Sequence, residues 1–185
     1  SVPSPGCSAP GGFPAGFPSS PASVRCAAAV PQPPKSKPTK YRKQMKAKQL
    51  SIFLENKSGR LTEVTDVLGS AGVNLSAMSI ADNSDFGILR CIVSDPDKAY
   101  KVLKEAHFAV KITDVIGFTC PNTSGSLAVV LKYLSENGVF IEYMYSFANG
   151  NVAHVVIRPT DLEACDRILT EKKVDLMAAS DLYRL

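Results

Sequence analysis

Residues 59–74 read GRLTEVTDVLGSAGVN, and residues 125–140 read GSLAVVLKYLSENGVF. The second segment begins 66 residues after the first, and the same spacing relates Asp95 to Asp161 and Leu103 to Leu169 without a gap. A period of this length is too long for the coil of a solenoid and is typical of a small domain in tandem. Because about 65 residues is near the smallest size that buries a useful core, we predict two domains that cover each other's exposed faces.

Within the first unit, hydrophobic periodicity predicts the order β-α-β-β-α-β. Leu61, Val64, Leu68 and Ala71 form one apolar helical stripe, and a second helix opens at Ser94-Asp95-Pro96, where proline suits an early helical position. Asp82-Asn83-Ser84-Asp85 is typical of a hairpin turn. The strands are predicted at Gln49–Leu54, Val73–Ala81, Phe86–Val93 and Phe108–Ile112.

The second unit keeps this order. Asn149-Gly150 is the strongest hairpin signal in the chain, and Thr160 or Asp161 is expected to cap the second helix. The strands are predicted at Val115–Thr119, Val139–Phe147, Val152–Ile157 and Val174–Leu185. The fold class is therefore predicted as α+β, with two ferredoxin-like βαββαβ sandwiches in tandem, at residues 49–113 and 114–185.

Residues 1–48 have a different composition, rich in Pro, Gly, Ser and Ala and without an acidic residue. Such a segment cannot bury enough apolar surface to offset the entropy of ordering it, so we expect a disordered tail. Two interpretations stay open: a linker ahead of Met45, or a chloroplast-type transit peptide processed near Val24-Arg25-Cys26-Ala27. The first favours a cytoplasmic protein and the second a plastid protein.

Charge and cysteine content exclude several classes of function. Residues 1–54 hold 8 Lys or Arg, which leaves 13 basic against 17 acidic residues in 55–185, so neither domain is expected to bind nucleic acid. The five cysteines lack C-x-x-C spacing, which indicates reduced thiols and no metal site.

No apolar run approaches the roughly 18 residues of a membrane span. No acid, base or nucleophile can be assigned, so we expect no catalysis and no cofactor.

The loop that precedes the first helix of each unit is the candidate binding site. Residues 56–61 and 122–127 share the pattern N-x-S-G-x-L. Free backbone N–H groups at a helix N-terminus stabilise a carboxylate, and glycine lets a ligand approach the main chain closely. Asn74 can donate and accept, which suits an amino acid, whereas Phe140 occupies the equivalent position in the second unit. Alternatively, the asparagine merely caps the turn and the glycine only solves a backbone problem.

These loops, followed by Gly72-Val73-Asn74 and Gly138-Val139-Phe140, resemble the ACT-domain family of small-molecule-sensing modules. In that family the loop usually reads D-x-P-G-x-L and the second strand opens G-I-N-I. The resemblance covers residues 49–185 and is closest to free-standing bacterial tandem ACT proteins. It implies ligand-binding residues Asn56, Ser58, Gly59, Arg60, Leu61, Asn74, Asn122, Ser124, Gly125 and Leu127.

The resemblance implies a non-catalytic regulatory protein, expected to be a homodimer, that senses a free amino acid at the ACT domain interface and modulates a metabolic enzyme in trans. The alternative is a structural or regulatory subunit that needs no ligand. Tyr143, Met144, Tyr145 and Phe147 form an aromatic and thioether stripe that we expect to pack between the two units, with a ligand wall as the other interpretation.

Overall fold

The computed structural model describes residues 45–82 and 86–184. No helix within these ranges is long and apolar enough to cross a membrane. The strands are β1 (Lys46–Glu55), β2 (Leu75–Asp82), β3 (Phe86–Val93), β4 (Ala109–Pro121), β5 (Ile141–Asn149), β6 (Val152–Pro159) and β7 (Asp175–Leu176). The helices are α1 (Arg60–Ser70), α2 (Pro96–Glu105), α3 (Ser126–Glu136), α4 (Leu162–Glu171) and α5 (Ala179–Leu182).

The 66-residue repeat is preserved in the backbone, which confirms the predicted fold class. α3 and α4 begin 66 residues after α1 and α2. Asp95 caps α2 by accepting from the Lys98 N–H at 3.0 Å, and Asp161 caps α4 by accepting from the Ala164 N–H at 2.9 Å. The order β-α-β-β-α-β therefore occurs twice. Of the turn predicted at Asp82–Asp85, Asp82 is the last residue of β2, and 83–85 lie outside the described residues.

The strands form one seven-stranded antiparallel sheet in the order β2-β3-β1-β4-β6-β5, with β7 pairing to β4. β4 pairs with β1 along its first half and with β6 along its second half. The two strands predicted at Phe108–Ile112 and Val115–Thr119 are thus one strand, because neither glycine nor proline interrupts Ile112-Thr113-Asp114-Val115. β4 serves as the last strand of the first unit and the first strand of the second.

The long C-terminal strand predicted at Val174–Leu185 is wrong. Only Asp175–Leu176 pairs with β4, at Thr119 and Phe118. Two residues further along β4, Ile116 is already paired with Lys46 of β1, so β7 cannot continue along that edge. The chain turns instead into α5, whose Leu182 is fully buried against Gly117.

The first strand begins earlier than Gln49. β1 starts at Lys46, so the expectation of a disordered tail up to Lys48 is wrong for Lys46–Lys48. These residues pair with Ile116, Val115 and Asp114 in the middle of β4. Residues 1–44, including both interpretations of the tail, lie outside the described residues.

The two units have separate cores on the face of the sheet that carries α1–α4. Val64, Leu68 and Leu103 pack on β1 and β3 in the first, and Leu134 and Leu169 pack on β4 and β6 in the second. A third apolar cluster joins the units and comprises Ala47, Ile92, Val115, Val156, Met177 and Leu182.

The sheet is strongly curved. Arg90 of β3 lies over the ring of Tyr143 of β5 at 4.0 Å, although four strand spacings, roughly 19 Å in a flat sheet, separate these strands. Gln49 of β1 also contacts Tyr143 and Tyr145 of β5. These contacts confirm packing between the units for Tyr143 and Tyr145 only. Met144 packs against the core of the second unit, and the ring of Phe147 stacks on His154 of β6 with the ring centres 5.2 Å apart.

Candidate functional site

The first predicted loop is exposed and opens directly into α1. The Lys57 N–H donates to the Glu55 carbonyl at 2.7 Å and closes a tight turn. Gly59 follows with φ of 88°, in the left-handed region, and α1 begins without a side-chain cap. A Cβ placed on Gly59 meets no described atom within 4 Å, so the surface beside this glycine is open. Asn56 and Ser58 are exposed here.

The second loop has the same backbone but uses its asparagine differently. Gly125 has φ of 86°, and α3 also begins without a side-chain cap. The side-chain amide of Asn122 donates to the Gly150 carbonyl at 3.0 Å, and the backbone N–H of Asn122 donates to the Asn151 carbonyl at 2.9 Å. Asn122 therefore anchors the β5–β6 hairpin. Ser124 is exposed.

Two helix residues next to the loops contribute to packing. Arg60 forms an ion pair with Glu63, and its guanidinium lies 4.9 Å from the centre of the Phe108 ring. Its Nε is buried without a hydrogen-bond partner in the described structure. Leu127 packs against the second core, whereas its counterpart Leu61 is exposed. Leu61 is thus an apolar side chain exposed at the surface beside the first loop.

Asn74 is exposed but distant from the loop of its own unit. Its N–H donates to the Ser94 hydroxyl at 3.0 Å, and its carbonyl accepts from the Ser94 N–H at 2.9 Å. β1 and β2 are parallel, because both pair antiparallel with β3. The loop at Asn56 follows the end of β1, whereas Asn74 precedes the start of β2, so the two lie at opposite ends of the unit. The register places Asn74 about eight residues back along β1 from the loop, roughly 25 Å. Asn74 and its own loop therefore do not meet within one chain.

The two loops also lie far from one another. The first loop follows the end of β1, which is paired with the start of β4 at Ala109. The second loop follows Pro121, at the other end of β4. Twelve residue steps along an extended strand correspond to about 40 Å. The carbonyl of Phe140, the counterpart of Asn74, accepts a hydrogen bond from the Thr160 N–H. The strand register places Phe140 about eight residues from either loop, so it too is remote from both. The two predicted loops are therefore separate surfaces of one chain.

The buried thiols offer no nucleophile. Cys91, Cys120 and Cys165 are free and buried, whereas Cys7 and Cys26 lie outside the described residues. Burial raises the pKa of the Cys91 and Cys165 thiols to about 12, so both stay protonated. Across residues 45–82 and 86–184, no group of three His, Cys, Asp or Glu side chains could hold a metal ion.

The structure also contains a cleft that no sequence motif indicates. It lies where the two units join and is lined by Lys46, Lys48, Pro96, Asp97, Asp114, Ala179 and Tyr183. These residues come from β1, α2, β4, α5 and the segment after α5. No local motif links them, because only the shared strand and the returning C-terminus bring them together.

Known proteins resemble the chain in sequence and in fold. Residues 45–185 match the model of the ACT domain pair family. The protein BT0572 from Bacteroides thetaiotaomicron is 72% identical, with a TM-score of 0.75 over 76% of this chain and 98% of that chain. No curated protein matches in sequence.

More distant structures share the fold alone. The ligand-free regulatory subunit of aspartate kinase from Thermus thermophilus is 14% identical, with a TM-score of 0.52 over 69% of this chain and 93% of that chain. The corresponding subunit from Thermus flavus is 15% identical, with a TM-score of 0.50 over 70% and 97%. Because the match to the family covers both repeats from end to end, the chain belongs to the ACT domain pair family.

Proposed function

We propose that this protein is a non-catalytic regulatory protein that binds a free amino acid at its β–α loops and modulates a metabolic enzyme in trans. The observation that carries the proposal is the pair of loops at Gly59 and Gly125. Each has a left-handed glycine, an open surface beside it and a helix that begins without a side-chain cap. Helix N-termini of this kind stabilise a carboxylate through unpaired N–H groups and the helix dipole.

The amino group of the ligand needs a partner from a second copy. Asn74 is about 25 Å from the loop of its own unit, and the strand register places it at a similar distance, about eight residues, from the loop of the other unit. A homodimer that places Asn74 of one protomer beside a loop of its partner would supply both ends of the site. Ligand binding would then favour one assembly state, which is how occupancy can be reported to another protein.

A ligand-independent structural subunit is the second candidate. It is favoured by Asn122, whose side chain is committed to the β5–β6 hairpin and so is not available to a ligand without breaking that bond. In this case the second loop would have a purely structural role, and regulation would act through surface contacts alone.

A thermal-shift screen of the full chain against the common free amino acids distinguishes these candidates. Selective binding to the folded state raises the melting temperature by an amount that grows with ligand concentration. Titration calorimetry of Gly59→Val, Gly125→Val and Asn74→Ala then locates the site. Loss of a hydrogen bond to a charged ligand group in Asn74→Ala should weaken binding by about 1–3 kcal/mol. Absence of any shift across the screen would favour the structural subunit.

A further inference from the structure

The cleft at the junction of the two units has a volume of about 310 Å³. Lys48 and Asp114 are directly opposite each other on the adjacent strands β1 and β4, so their side chains share one wall. Pro96 and Asp97 contribute the first turn of α2. Tyr183 is held in place because its hydroxyl accepts from the Lys48 N–H at 2.8 Å. Both units and the C-terminal segment therefore meet around this space.

The charges in the cleft balance. Lys46 and Lys48 supply two ammonium groups, and Asp97 and Asp114 supply two carboxylates. Lys48 forms an ion pair with Asp97 at 2.7 Å, and Lys46 forms one with Glu163 of α4. Lys46 donates a hydrogen bond to Glu163 and Lys48 donates one to Asp97, and these bonds raise the pKa of both lysines, so both carry a full charge at neutral pH.

We propose that this cleft is an additional binding site for a free α-amino acid, separate from the two loops. The ligand carboxylate lies between Lys46 and Lys48, its ammonium group lies against Asp97 and Asp114, and its side chain faces Pro96. The proposal rests on the proposed function for the class of ligand and on the cleft for the position of the site.

A zwitterion fits this cleft better than an anion does. It replaces the Lys48–Asp97 pair with two new pairs and leaves the net charge unchanged, whereas a dicarboxylate or a nucleotide would bring negative charge beside two aspartates. The volume lies at the lower end of the roughly 300–1,000 Å³ that small-molecule sites occupy. A bound amino acid would contact β1 and α2 of the first unit, the shared strand β4 and Tyr183, so it would stiffen the junction between the repeats.

The test is titration calorimetry of the full chain with each common free amino acid, repeated with succinate as a carboxylate-only probe. Lys48→Met and Asp114→Asn each remove one charge from the cleft, and Lys101→Met is the matched control, because it removes the same charge from α2 at an exposed ion pair with Glu105. Circular dichroism melts verify that each variant folds. Lys48→Met and Asp114→Asn should each weaken amino-acid binding about 10- to 100-fold, with Lys101→Met unchanged.

The outcomes separate the cleft from the loops. Weakening in both cleft variants, with Gly59→Val and Gly125→Val binding normally, supports the cleft. Binding that is lost in the loop variants and retained in the cleft variants overturns the cleft while preserving the proposed function. Binding of succinate as tight as that of the amino acid overturns recognition of a zwitterion. If no amino acid binds to the wild-type chain, the cleft proposal and the proposed function both fail.

Discussion

The side-chain carbonyl of Gln49 in β1 accepts a hydrogen bond from the hydroxyl of Tyr145 in β5 at 3.0 Å. Two strands, β4 and β6, lie between them in the sheet. Gln49 is fully buried, and its amide nitrogen donates to the Tyr143 hydroxyl at 2.8 Å, so both ends of the amide are satisfied. A buried polar group is tolerated when its hydrogen bonds are made, and this one holds the curved sheet closed between the two units.

Replacing Gln49 should therefore be costly. In Gln49→Met the volume is kept, but the hydroxyl of the half-buried Tyr145 loses its partner, and we expect the free energy of unfolding to fall by about 1–3 kcal/mol. Tyr145→Phe should cost less, because it leaves only the Gln49 carbonyl unpaired. Urea denaturation measures both, with Tyr100→Phe on α2 as a control expected to stay within about 0.5 kcal/mol of wild type. Equal stability of Gln49→Met and wild type would show that the amide bonds do not hold the units together.

Gly117 should not tolerate a side chain. A Cβ at this position would lie 2.6 Å from Cδ1 of Leu182, which is fully buried. Gly117→Ala should lower the free energy of unfolding by about 1–3 kcal/mol through overpacking. The same change in a Leu182→Ala background should cost much less, because the clash is gone, so the double-mutant cycle should show strong coupling. Gly69→Ala, in the exposed part of α1, should instead stabilise by about 0.5–1 kcal/mol. Additive losses for Gly117 and Leu182 would contradict this packing.

Local signals in the sequence predict most of the fold. The 66-residue repeat, the caps at Asp95 and Asp161 and the apolar stripe through Val64 and Leu68 all depend on neighbours a few residues away, and the structure confirms them. The C-terminal strand ends early because Lys46 is paired with Ile116, on the edge of β4 along which β7 would otherwise continue. Residues 46 and 178 would compete for the same position on β4, and the local pattern of residues 174–185 cannot indicate a competitor so far away in the sequence.

The site is less predictable than the fold for a related reason. Sequence motifs identify the loops at Gly59 and Gly125, and the structure shows a left-handed backbone at both glycines. The pattern N-x-S-G-x-L does not reveal that Asn122 is used by a hairpin or that Asn74 lies at the far end of its unit. The cleft at Lys48 and Asp114 arises only because β4 is continuous, whereas the sequence pattern predicts two separate strands there.

The left-handed positions give a matched set of stability tests. Gly59→Ala and Gly125→Ala should each lower the free energy of unfolding by about 1–2 kcal/mol, because an L side chain is strained at φ near 87° although the space around it is open. A second pair of left-handed residues follows the second helix of each repeat: His107 has φ of 63° and Lys173 has φ of 57°. Because glycine adopts this conformation without strain, His107→Gly and Lys173→Gly should each raise the free energy of unfolding by up to about 1 kcal/mol. Thermal and urea unfolding of the four variants check the signs. Opposite signs within either pair would show that the repeats are not energetically equivalent at these turns.

The buried thiols predict a loss of stability at alkaline pH. Burial raises the pKa of Cys91 and Cys165 from 9.0 to about 12 in the folded chain. As pH rises above about 9, the unfolded chain releases these protons while the folded chain keeps them. The stability they confer is thus fully present below pH 9 and is lost as pH rises towards 12.

Each thiol should contribute a decline of up to about 1.4 kcal/mol per pH unit in that window. Urea unfolding under reducing conditions at pH 8 and pH 10 measures the decline. Lysines and tyrosines titrate in the same range, so the informative quantity is the difference between wild type and Cys91→Ala or Cys165→Ala. Each variant starts from its own stability at pH 8 but should lose less between pH 8 and pH 10 than wild type does, because alanine has no proton to release. Parallel pH profiles for wild type and both variants would mean that the thiols are not held neutral by burial.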